Sequence, residues 1–151
     1  MINKPQLLQR WDHIRQTHGI ALRAIAALPA DQLDSHPIPK MRTPKELVIH
    51  MYDAVIKDLV EGVARGEVVL HKENEKKCAA SIKSRDELIQ YARDTWNGVD
   101  RVVSGITDGQ LNAIVKTPFG MDLPGSPAGH VAGRVPASSR AALRVRPGAG
   151  R

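Results

Sequence analysis

The composition of the chain changes abruptly after Ser126, and this break limits which part of the sequence can build an ordinary hydrophobic core. The last 25 residues, 127–151, use only eight residue types, with five Arg but no Asp, Glu, Lys or aromatic residue. Their prolines and glycines oppose a long helix. We therefore expect a folded body over residues 1–126 and a basic, disordered tail over residues 127–151.

The basic charge of the chain belongs mainly to that tail. The 151 residues hold 22 Lys and Arg against 16 Asp and Glu, which gives a net charge of +6. Without the five tail arginines, the body holds 17 basic and 16 acidic residues and has a net charge of +1. A nearly neutral body offers no electrostatic reason to bind nucleic acid. Nucleic acid is therefore not the expected partner, although a basic tail that binds nucleic acid or anionic surfaces stays open as an alternative function.

Cysteine content and hydropathy favour a cytoplasmic protein. The single cysteine, Cys78, cannot form an internal disulfide, which fits a reducing compartment. No run of 18 apolar residues is present, so no membrane span is expected. The N-terminus also lacks the apolar core of a secretory signal peptide. We expect a cytoplasmic localisation and no membrane partner.

Three segments of the body show the periodicity of amphipathic helices. Residues 5–28 form the first, residues 44–65 the second and residues 85–103 the third. Thr43 and Ser84 cap the second and third helices, and each is followed three residues later by a Glu that can complete a capping box. Gly66 is expected to end the second helix. The charged residues 72–77 are predicted to form a solvated loop. The apolar stripe of the first helix consists of Leu7, Leu8, Trp11, Ile14, Ala21, Leu22, Ile25 and Leu28.

Three amphipathic helices need a partner that covers their apolar faces. An all-α, up-down-type four-helix bundle is the simplest architecture that provides one. Turn signals at Asp108-Gly109 and Pro118-Phe119-Gly120 lead toward Ser126, which is placed to cap a fourth helix. The residues after Ser126 do not continue as a helix. We predict that the fourth helix is missing or irregular in this chain, and that the groove it leaves favours a homodimer.

The body resembles the DinB/YfiT-like superfamily of metal-dependent four-helix bundles. The resemblance covers residues 4–126 and rests on the capped segment 43–50 (Thr-Pro-Lys-Glu-Leu-Val-Ile-His), on Trp11 and Trp96, and on residues 117–121 (Thr-Pro-Phe-Gly-Met). It implies a divalent metal cofactor, with Zn²⁺ and Ni²⁺ both suited to imidazole ligands. Its ligands would be one histidine of the second helix, here His50, and two of the fourth. It also implies thiol-dependent transferase, isomerase or hydrolase activity on a small-molecule or thiol substrate.

The fourth helix of the family carries a His-His-Arg-Gly-Gln-like stretch, which this chain lacks after Ser126. One permitted set of codons for residues 128–151, read with the frame moved by one nucleotide, gives RATWLDAFLHHRGQLYVYVRALG. This is an amphipathic helix with the family stretch, and it places Asp and His four residues apart on one face. We interpret the tail as a frameshift product. Because a catalytic metal needs about three protein ligands, we expect the chain to be inactive in this form.

His50 is the residue expected to carry function, as a metal ligand. The alternative is a helix histidine whose ring is satisfied by a neighbouring side chain or by water. Three acidic residues of the same helix could assist it if they face inward, namely Asp53, Asp58 and Glu61. By spacing, Asp53 is the best of these.

The remaining candidates have simpler interpretations. His13 and His18 lie five residues apart and point in different directions, so both are expected to be structural or exposed. His36 and His71 are placed in loops, and lysines near Cys78 could lower the pKa of its thiol, although a bystander thiol is favoured. Trp11 and Trp96 are expected in the core. A purely structural helical dimer stays open as a third possibility.

Overall fold

The structure, a computed structural model, describes residues 2–124 and is all-α apart from one very short strand pair. The elements, in chain order, are α1 (Lys4–Ala27), a 3-10 turn (Ala30–Gln32), α2, α3 (Lys72–Ser81), α4 (Arg85–Gly105), α5 (Asp108–Asn112), β1 (Ile114–Val115) and β2 (Leu123–Pro124). Helix α2 is continuous in three parts: α-helical Pro44–His50, π-helical Met51–Asp58 and α-helical Leu59–Arg65. The predicted all-α bundle is confirmed, with four main helices packed together.

Side chains that cap the helix ends explain where the predicted helices begin and stop. The Thr43 hydroxyl accepts the Glu46 N–H at 3.1 Å, and the Glu46 carboxylate accepts the Thr43 N–H at 3.0 Å. At Ser84 only half of the predicted box forms, because the Glu87 carboxylate accepts the N–H of Lys83 instead. Helix α2 ends at Gly66, whose φ of +88° lies in the left-handed region that favours glycine.

Contacts at both ends of α1 show that it runs antiparallel to α4. The N–H of Lys4 donates to Asp108, just beyond the end of α4. At the other end, the Arg85 guanidinium donates to the carbonyl of Leu28 at 2.9 Å. The first and last main helices therefore lie side by side along their length.

Helix α2 runs parallel to α4 and antiparallel to α3. Its first turn meets the start of α4, because Lys45 Nζ donates to the carbonyl of Ile82 at 3.0 Å. Its last turn meets α5, because Gln110 Nε2 donates to the carbonyl of Ala64 at 2.9 Å. Helix α3 connects the end of α2 to the start of α4 and runs in the opposite direction to both. The four main helices therefore alternate in direction, as in an up-down bundle.

The prediction of a loop over residues 72–77 is wrong, because these residues begin α3. One face of α3 packs on α2 and α4: Asn74, Cys78 and Ala79 are partly buried, and Ile82, directly after the helix, is 6 % exposed. Charged side chains fill the other face, which hides the apolar spacing of this short helix. The charged residues led to the prediction of a loop, although the buried positions recur at the spacing of a helix.

The core between α1, α2 and α4 is built around a stack of three rings. Trp96 lies between Trp11, at a centroid distance of 4.7 Å, and His18, at 4.5 Å, and all three rings are nearly parallel. Both tryptophans are buried, as predicted. The His18 Nδ1 atom lies 2.7 Å from the Tyr52 hydroxyl, which ties α1 to α2.

Part of the predicted apolar stripe of α1 faces outward. Leu8 and Ile14 are 38 % and 42 % exposed, whereas Trp11 and Ile25 are buried. Only part of the apolar stripe of α1 therefore packs into the core, and the rest is exposed. The expected fourth helix and the basic tail lie outside the described residues. Within residues 2–124, no helix is both long and apolar enough to cross a membrane.

Candidate functional site

The cap at Thr43 sets the position of His50, which ends the first α-helical part of α2 directly before the π-helical part. Its neighbours Ile49 and Tyr52 point into the core and are each 1 % exposed. The His50 side chain points to the side, toward α3, and keeps 30 % of its surface exposed. A half-buried imidazole of this kind can meet both a protein partner and a ligand from solution.

The partner of His50 is Glu75 on α3. The His50 Nδ1 atom lies 3.2 Å from both carboxylate oxygens of Glu75, whose side chain is only 17 % exposed. A carboxylate at Nδ1 fixes the tautomer with the proton on that nitrogen and leaves Nε2 with its lone pair. The same carboxylate–histidine pairing orients histidines that ligate metals.

An open cleft of about 330 Å³ lies beside this pair. Its polar lining combines the imidazole with two carboxylates and three basic side chains, and its apolar part comes from α2, α3 and Leu70 in the connection between them. The lining residues are Arg42, Glu46, Ile49, His50, Ala54, Leu70, Lys72, Glu75, Lys76 and Ala79. The cleft is large enough for a small molecule, and it would present that molecule with a ring nitrogen beside basic groups.

The described residues do not complete a metal site. Within residues 2–124, no three His, Cys, Asp or Glu side chains are grouped so that they could hold one ion. His50 and Glu75 supply one imidazole and one carboxylate, fewer than the three protein ligands of a typical catalytic site. The fit of a metal to the described chain is therefore partial, and no reaction step is assigned to it.

The acidic residues that were expected to help His50 have other partners. Asp53 is 1 % exposed, and both of its carboxylate oxygens lie 3.1 Å from the Asn74 amide nitrogen, which donates to them. Asp58 is fully buried and binds His71, through the backbone N–H at 2.9 Å and the ring Nδ1 at 2.7 Å. Glu61 lies 3.8 Å from Arg65 on the surface of α2. Asp53 does face inward, but its contacts are with Asn74 and Lys57 rather than with His50.

The other histidines and the cysteine are structural or peripheral in the described chain. His13 and His18 were expected to be structural or exposed. His18 is structural, because it belongs to the ring stack, and His13 is exposed. His71 directly precedes α3 and holds Asp58. Burial raises the pKa of the Cys78 thiol, which is the opposite of an activated nucleophile.

Glu75 is the candidate site residue that the sequence analysis missed. It falls in the segment taken as a solvated loop, where a glutamate carries no signal. The available signal was the spacing of Glu75, Cys78, Ala79 and Ile82, which places one glutamate on the packed face of a helix.

The comparisons with known proteins agree with this architecture. A family model described as the DinB superfamily matches residues 13–135, which is most of the chain and includes the capped segment 43–50 and Trp96. The chain belongs to the DinB superfamily. No curated protein and no solved structure matches the chain. Membership of the superfamily agrees with the helical bundle, but it does not show a metal site or an activity for this chain.

Proposed function

We propose that His50 and Glu75 are one half of a DinB-type divalent-metal site, and that this chain lacks metal-dependent activity in its present form. The observation that carries the proposal is the pairing of Glu75 with His50 Nδ1 at 3.2 Å. Glu75 acts as a positioning residue, because its carboxylate holds the ring so that Nε2 is free to bind an ion.

The proposed chemistry is that of the family. A divalent metal with an open position would lower the pKa of a bound thiol or water, which suits a thiol-dependent transferase or a hydrolase. In this chain, Arg42, Lys72 and Lys76 line the cleft beside His50 and would attract an anionic part of a small substrate. The two further ligands would come from the alternative-frame helix, which this sequence lacks.

Metal titration by calorimetry tests the proposal with two proteins. One is the chain as it stands, and the other replaces residues 128–151 with the alternative-frame sequence. We expect the second protein to bind about one equivalent of Zn²⁺ or Ni²⁺ and the first to bind weakly. Binding should fade below about pH 6, because imidazole must be neutral to ligate a metal.

Variants of the repaired protein separate ligation from general effects. His50→Ala should abolish binding, and Glu75→Gln should weaken it roughly 10- to 100-fold, as found for residues that orient a ligand. His13→Ala is the matched control, since His13 is an exposed histidine of α1, and it should leave affinity unchanged. Tight binding by the unrepaired chain, or an intact site after His50→Ala, would overturn the proposal.

A further inference from the structure

A second cleft, of about 290 Å³, lies between the π-helical part of α2, the start of α3, and α4. It shares no lining residue with the cleft beside His50. Three carboxylates line it, from Asp53, Glu61 and Asp94, against a single ammonium group from Lys57. The charge of the lining therefore favours a cation.

Asp53 is the buried anion of this cleft. Its side chain is 2 % exposed, yet its only partners in the described chain are the Asn74 amide at 3.1 Å and Lys57 Nζ at a long 3.5 Å. A carboxylate can accept about four hydrogen bonds, and a buried one is costly unless a charge or several donors compensate it. Asp53 therefore keeps acceptor capacity that a cationic donor can use.

Tyr91 lines the same cleft, and its hydroxyl is buried without a hydrogen-bond partner among the described residues. Burial raises the pKa of Tyr91, and the negative charge of Asp53 raises it further, so the hydroxyl stays protonated. The nearby Thr95 hydroxyl lowers the pKa of Tyr91 somewhat, but no hydrogen bond of good geometry joins the two hydroxyls. The Tyr91 hydroxyl has no hydrogen-bond partner and the Asp53 carboxylate has few, so a polar ligand could satisfy both groups.

The geometry points to a binding site for an aliphatic primary amine in its ammonium form, held by Asp53 and Tyr91. An ammonium group carries three N–H donors and no acceptor, so it can donate to the Asp53 carboxylate and to the oxygen of Tyr91. A metal ion fits less well, since the described residues hold no group of three suitable ligands here. The π-helical segment shapes this cleft, and such segments are often found at functional sites.

The test follows backbone amide shifts by NMR while n-butylamine is titrated into the full chain at pH 7. We expect saturable shifts in α2 and α4 around Asp53 and Tyr91. Two probes of similar size act as ligand controls, and neither neutral 1-butanol nor anionic butyrate should bind. Equal binding of the alcohol and the amine would overturn the inference, as would the lack of saturable amine binding.

Two variants assign the contacts. Asp53→Asn should weaken amine binding at least about tenfold, the range of a charge-assisted hydrogen bond. Tyr91→Phe should weaken it roughly three- to tenfold, without lowering the thermal midpoint, because the lost hydroxyl had no partner. Asp12→Asn, an exposed aspartate of α1, is the matched control and should bind as the original chain does. Unchanged affinity in Tyr91→Phe, with its fold intact, would overturn the assignment.

Discussion

At the scale of single residues, His18 combines three roles in one ring. It stacks on Trp96, meets the Tyr52 hydroxyl, and is half-buried between α1, α2 and α4. Burial lowers the pKa of His18 from its ordinary 6.5, and the nearby charges of Arg93 and Arg15 lower it further. The folded protein therefore favours the neutral imidazole, whereas the unfolded chain takes up a proton at about pH 6.5.

This shift predicts the pH dependence that His18 contributes. Below pH 6.5 the unfolded chain binds more protons at this site than the folded chain, so the free energy of unfolding falls as the pH is lowered. Above pH 6.5 the contribution is fully present. Urea unfolding at pH 7.5 and 5.5 should show a larger loss of stability in the original chain than in His18→Gln. His13→Gln, which changes an exposed histidine, should retain the larger loss. An identical loss in His18→Gln would contradict the shift.

At the scale of elements, the chain after α2 packs against the helix because Gly62 has no side chain. A Cβ atom at residue 62 would lie 2.5 Å from Cγ2 and 2.7 Å from the Cα of Val68, which is closer than atoms can approach. Val68 is buried, and its N–H donates to the carbonyl of Lys116 at 2.8 Å. Gly62 thus allows the segment between α2 and α3 to lie directly on α2.

Gly62→Ala should destabilise the protein by roughly 1–3 kcal/mol, the cost of overpacking against backbone that cannot move freely. Gly19→Ala is the matched substitution in α1, where the new Cβ would meet only the flexible end of Arg23 at 3.9 Å. That change should be neutral or stabilising by up to about 1 kcal/mol, since alanine favours helix more than glycine does. Urea unfolding measures the stability change of both variants. Equal changes would contradict the prediction, because they would show that Val68 can move aside at little cost.

At the scale of the whole molecule, an apolar groove of about 240 Å³ runs between α1 and α2. Among the described residues, only α1, the adjoining Leu28 and α2 line it. Leu47 and Met51 are 49 % and 40 % exposed there, and the nearby Val55 is also 49 % exposed. The groove is lined by Ala21, Ala24, Ile25, Leu28, Pro44, Leu47, Val48, Met51 and Tyr52. Exposed apolar surface of this kind favours association.

We propose that a second copy of the chain covers this groove, which makes the homodimer a concrete prediction. Size-exclusion chromatography with light scattering should show a mass that falls on dilution toward that of the monomer. Met51→Lys should shift the equilibrium toward the monomer, because a charge in the interface must be desolvated. Ile38→Lys is the control, since Ile38 is 55 % exposed but lies outside the groove, and it should associate as before. A monomer at all concentrations would contradict the proposal.

The sequence by itself determined the features that depend on neighbours along the chain. The Thr43 box, the αL residue Gly66, and the long helices α1, α2 and α4 follow from local hydrogen bonding and from periodicity over many residues. The family resemblance was recognisable for the same reason, since the segment 43–50 is contiguous. His50 could be singled out from that segment, and its role as a metal ligand stays a prediction.

Tertiary structure alone decided which side chains meet. The pairing of His50 with Glu75 and that of Asp53 with Asn74 both depend on α3 folding back against α2. The outward orientation of Leu8 and Ile14 depends on where α4 packs. These outcomes come from contacts between residues distant in sequence. Local periodicity gives the faces of a helix but does not say which neighbour each face will touch.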